Sequence, residues 1–193
     1  MLVQFSDVFP LKPSRYHEVT GAGAHSFASV CCGNTEGTAI WFVEGWVTEV
    51  VNPLGLQMHC DPHQVLIGKC NSPTDVLAGT EDALRSGVVS LVIAELTTPL
   101  SLTSGRRLQL AAEAGGSTGL MIVSDGMGSN ATQTRWHVAP VYSSGDSTQM
   151  QWSLNKNKSG TNGCWNVRWN ETARRISVVS QHAERTAPSE TLP

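Results

Sequence analysis

The chain has 193 residues and a mass of 20.7 kDa, enough for one domain with its own hydrophobic core. Hydrophobic residues make up 40%, which excludes a disordered chain, and 13 basic against 16 acidic residues give a net charge of −3, which excludes a protein that coats nucleic acid by bulk charge. The longest apolar run, residues 88–96, is broken by Ser90 and Glu95 and is far shorter than the ~20 residues a membrane-spanning helix needs.

Taken in chain order, residues 1–15 read as a lead. Asp7 and two prolines stand where a secretory leader needs an unbroken apolar core, so none is expected. Residues 16–20 form a short strand candidate, and the small residues 24–32 a helix stopped by Gly33. Apolar runs at 38–43 and 64–69 read as strands. Residues 74–86 read as a helix, with Val76, Leu77, Ala83 and Leu84 on one side and Gly87 as its C-terminal stop. Residues 88–96 are apolar enough for a central parallel strand covered on both faces. A helix over 103–114 follows, capped by Thr103 or Ser104 and stopped by Gly115 and Gly116, and then a strand at 118–124. This alternation predicts an α/β fold with a mostly parallel sheet flanked by helices.

The pattern changes after a Gly/Ser loop at 125–130. Residues 133–142, 150–155 and 164–169 read as strands joined by turn residues, an antiparallel extension of the sheet. Trp165, Val167 and Trp169 alternate with Asn166 and Arg168. The domain is expected over residues 16–180, with 181–193 a disordered tail. Charge divides along the same line: residues 1–150 carry a net −6 and residues 151–193 a net +3. The five cysteines show no framework spacing and read as free thiols of a cytoplasmic protein.

Strand, glycine turn and small-residue helix at 18–27 have the layout of a phosphate-binding loop. Gly21 and Gly23 are present, but His25 and Ser26 stand where Lys-Thr would be. Without that lysine the terminal phosphate of ATP lacks its main fixed partner, so no cofactor and no catalytic residue are expected. Glu95 ends the most apolar strand, where a carboxylate either faces a functional crevice or bonds a nearby loop. His59, Cys60, Asp61 and His63 have a metal-like look, but Pro62 prevents a regular helical face and further ligands are not evident. Arg106 and Arg107 have no i, i+4 acid in their helix and are candidates for a partner or DNA contact. Lys156, Lys158 and Arg168 make the basic part of the C-terminal strands a second such candidate, set beside tryptophans that equally serve as core.

The stretch G-R-R-L-Q-L-A-A-E-A-G-G-S-T-G-L at 105–120 resembles the signature of the inducible mutagenesis protein A family (ImuA). H-E-V-T-G-A-G-A-H-S-F-A at 17–28, E-D-A-L-R-S-G at 81–87, A-E-L at 94–96 and T-R-W-H-V-A-P at 134–140 add weaker matches. The resemblance implies a RecA-like core with a degenerate nucleotide site, in which turn 18–27 and Glu95 are relics. It also implies a non-catalytic adaptor role in SOS-induced translesion synthesis. The partners would be an inactive Y-family polymerase relative (ImuB) and an error-prone replicative-type polymerase, with at most weak DNA contact. Asn155 to Lys158 resemble the Lys-Asn-Lys stretch of recombinase subunit interfaces. A SulA-like cell-division inhibitor and a weak DNA-dependent ATPase are the alternatives.

Overall fold

The most apolar stretch of the sequence becomes an interior strand of a sheet that has nine strands among the described residues. The computed structural model describes residues 3–49, 51–142 and 148–182. Within it β1 (Tyr16–Thr20), β2 (Ala39–Glu44), β3 (Val65–Cys70), β4 (Leu91–Glu95), β5 (Thr118–Ile122) and β6 (Thr134–Pro140) run parallel. The hairpin strands β7 (Gln149–Asn157), β8 (Gly163–Asn170) and β9 (Arg175–His182) follow in antiparallel sense. The spatial order is β3-β2-β4-β5-β1-β6-β7-β8-β9. The expected α/β class, mostly parallel core and C-terminal antiparallel extension are all present.

β4 shows why an unbroken apolar run suits a central strand. Leu91 and Ile93 enter one core, and Val92 and Ala94 the core on the opposite face. The second core is covered by two helices, α3 (Pro73–Ser86) and α4 (Leu102–Gly115), through Val76, Leu84, Leu108, Ala111 and Ala112. Ser72 caps α3 by accepting the Asp75 N–H at 3.2 Å. Ser101 caps α4 by accepting the Ser104 N–H at 3.0 Å, in place of the expected Thr103 or Ser104. Gly87 and Gly116 end the two helices at φ 66° and 72°. Gly115 is required by packing, because a Cβ there would collide with the Leu84 carbonyl oxygen of α3.

The first core is aromatic. α1 (Ala24–Gly33) lays Phe27 against Trp136 and Trp152, with ring centroids at 5.6 and 4.5 Å. Residues 3–15 are not a detached lead. Phe5 meets Trp165 at 5.4 Å, and Phe9 meets Trp152 at 5.0 Å, so this segment covers the tryptophans of the hairpin strands. Gln181 of β9 donates its side-chain N–H to the Val3 carbonyl at 3.0 Å. β9 itself has no counterpart in the expectations, nor has the short helix α2 (Pro53–Gln57). β9 reaches two residues into the block expected as tail, and residues 183–193 lie outside the described residues. The five cysteines are unpaired. Among the described residues no helix is long and apolar enough to cross a membrane.

Candidate functional site

β1 is an interior strand, and the chain leaves its carboxyl end through a turn forced by its neighbour. Gly21 sits at φ 91°, a conformation that favours glycine. A Cβ on Gly21 would collide with the Val138 carbonyl oxygen, and one on Gly23 with the Val138 side chain. The Gly23 N–H donates to that same carbonyl at 2.9 Å, and the Ala24 N–H to Gly21 O at 3.1 Å. Both glycines are therefore explained by the close passage of β6, and both amides are used inside the protein.

The turn delivers His25 to the first turn of α1, over the carboxyl end of β4. His25 Nε2 lies 3.3 Å from Glu95 Oε1, and the imidazole stacks on Trp41 with centroids at 6.0 Å and planes at 17°. Trp41 donates its indole N–H to Glu95 Oε1 at 2.8 Å. The hydrogen bond and charge of Glu95 raise the His25 pKa above its ordinary value, against partial burial. Ser26 is exposed beside it, with no side-chain partner among the described residues. Four of the sequence candidates, Gly21, Gly23, His25 and Glu95, thus meet at one edge of the sheet, and Ser26 borders them.

The same edge holds residues that the sequence reading passed over. Glu44 ends β2, is buried, and accepts from the Trp46 indole N–H at 2.7 Å and from the Thr97 hydroxyl. Asp125 follows β5 and approaches His137 at 3.5 Å, while His137 also bonds Thr20 Oγ1 at 2.9 Å. The strand-end rule that singled out Glu95 applies equally to Glu44. Two openings flank the His25–Glu95 pair. One of about 480 Å³ runs towards Glu49, Leu56 and Met58, and one of about 400 Å³ towards Thr97, Ser124 and Asp125. His25, Val47 and Glu95 line both.

The arginine and lysine candidates lie elsewhere and apart, whereas His59 lines the larger opening with His25 and Glu95. Arg107 on α4 pairs with Glu81 of α3 at 2.7 Å, and Glu81 also binds Arg85 at 2.5 Å. The acid that neutralises Arg107 comes from the neighbouring helix, since its own helix offers none at i, i+4. Arg106 has no ion pair among the described residues. Lys156 Nζ donates to Asn130 O at 2.6 Å, and Lys158 Nζ to Ala131 O at 2.5 Å, so both brace the loop before β6. Burial and the nearby Arg135 and Lys158 lower the Lys156 pKa. That loop is also tied to the fully buried Glu18, which accepts from Arg135 Nε at 2.7 Å and from Ser129 N at 2.8 Å. Arg168 is exposed on β8 opposite Gln149. His59 packs against Trp169 at 4.5 Å, and Asp61 caps a short turn by accepting the His63 N–H. Among the described residues no three of His, Cys, Asp and Glu come together as a metal site. No known protein family matches the chain, and no curated protein does.

Proposed function

We propose that the chain is a non-catalytic RecA-like adaptor of the ImuA kind, working in the cytoplasm within an SOS-induced translesion-synthesis assembly. The observation that carries the non-catalytic half is the His25–Glu95 pair. In a phosphate-loop enzyme the loop lysine reaches the terminal phosphates, and a hydroxyl and a strand-end acid hold magnesium. Here an imidazole at the lysine position is bonded to the strand-end acid, 3.3 Å away, and the Gly23 amide is spent on Val138 O. The strand-end acid is thereby engaged by the imidazole and by the Trp41 indole. The assembly itself is inferred from the resemblance of residues 105–120, which fall on α4 and the start of β5.

Arg106 is the arginine of this stretch left for a partner, because Arg107 already bridges α3 and α4. The test is co-purification of the chain with the inactive Y-family polymerase relative and, separately, with a cell-division GTPase. The polymerase relative is expected to bind, and Arg106→Ala to weaken that binding with the protein folded. Arg107→Ala is expected to lower the melting temperature instead. Binding to the division GTPase alone would install the inhibitor reading. Low-micromolar binding of a fluorescent ATP analogue would install the ATPase reading.

A further inference from the structure

The cleft around His25 and Glu95 has a charge opposite to that of a nucleotide site. Glu49, Glu95 and Asp125 line its two halves, and no described lysine or arginine lines either. A polyphosphate entering there meets carboxylates and two imidazoles, of which His25 is already bonded to Glu95 and His59 has its pKa lowered by burial. The walls are apolar as well as acidic. Val47 lines both halves, Leu56 and Met58 one of them, and Trp46, 68% exposed, stands next to Val47 in the chain. Exposed tryptophan and methionine around a carboxylate-lined groove are the composition of a surface that buries a partner's apolar side chains and pairs with its cations.

We infer that this cleft docks a segment of a partner protein that alternates basic and apolar side chains, with an arginine or lysine received between Glu95, Glu49 and Asp125. The apolar residues of the segment lie on Val47, Leu56 and Met58. An arginine fits best, because its planar fork pairs with carboxylates and its stem lies on apolar surface. The inference rests on the adaptor reading only in that the cleft holds no nucleotide.

The probe is a short fluorescein-labelled peptide alternating leucine and arginine, titrated into the full chain and read by fluorescence anisotropy. Leucine–glutamate and leucine–glutamine peptides serve as controls. The arginine peptide is expected to bind and to shift the His25 Cε1 proton resonance, with the two controls binding far more weakly. Glu49→Gln combined with Asp125→Asn is expected to weaken binding about tenfold while melting temperature holds, since two exposed charge pairs are lost and no core contact is. Val47→Lys, which puts a cation inside the cleft, is expected to weaken it further. Arginine-peptide binding that ignores both variants, equal binding of the glutamate peptide, or no binding overturns the inference. ATP–magnesium displacing the peptide overturns the docking cleft and the adaptor reading together. Absence of both ATP and peptide binding removes the docking cleft alone. Concentration-dependent dimers of the wild type, abolished by the double variant, would put a second copy of this chain in the cleft and overturn the assignment to a partner.

Discussion

His17 shows how one buried ring ties acidity to stability. It lies on β1, fully enclosed, with Nδ1 2.6 Å from Thr134 Oγ1 and Nε2 2.9 Å from Lys12 O. Burial pushes its pKa down to about 4, outweighing the Lys12 carbonyl, which favours the charged form. In the unfolded chain the ring titrates near the usual value of ~6.5, so between these limits the unfolded state binds a proton that the folded state refuses. Stability therefore falls as pH drops from ~6.5 towards 4, by about 3 kcal/mol from this residue alone. His17→Gln is expected to flatten that slope, read as urea midpoints at pH 7 and pH 4.5 by tryptophan fluorescence. An unchanged slope would place the acid sensitivity in another group. Nothing in the local sequence marks His17 as buried among polar partners, because Thr134 lies on a distant strand. Arg107 is the same case: its acid, Glu81, belongs to another helix and is visible only once α3 and α4 pack.

The elements themselves were largely legible. Their apolar periods and stop glycines depend on residues close in sequence, so α1, α3, α4 and β1 to β8 stand within a few residues of where the pattern puts them. β9 was not legible because Val178 and Val179 are adjacent and both exposed, which breaks the alternation that betrays a half-buried strand. The amino-terminal segment was misread for a different reason. Phe5 and Phe9 lie in a proline-rich stretch without period, and only their burial against Trp152 and Trp165 makes them core. Phe9→Ala is accordingly expected to cost about 3 kcal/mol or more in chemical unfolding, as for other large core truncations. A cost below about 1 kcal/mol would show that the segment rests on the domain without supporting it.

Among the described residues the sheet is unpaired at both edges. β3 carries exposed Leu66 and Ile67 at one edge, and β9 exposed Val178 and Val179 at the other. Unpaired apolar edges are templates for adding further strands. Ile67→Lys is expected to raise the temperature at which light scattering begins on heating, without lowering the unfolding midpoint; an unmoved onset would place the sticky surface elsewhere. Of the candidate site, the strand-end carboxylate and the glycine turn could be read from spacing, whereas the acidic cleft needed the fold to bring residues 44–49, 95 and 125 together. The contact between Val3 and Gln181 has a further consequence for how the protein is made. On the ribosome, Phe5 and Phe9 emerge long before Trp152 and Trp165, and the parallel core can assemble before its aromatic flank has been synthesised. The nascent chain is therefore expected to expose an aromatic patch while these strands are unmade, and to give more soluble protein when a holdase chaperone is present during translation.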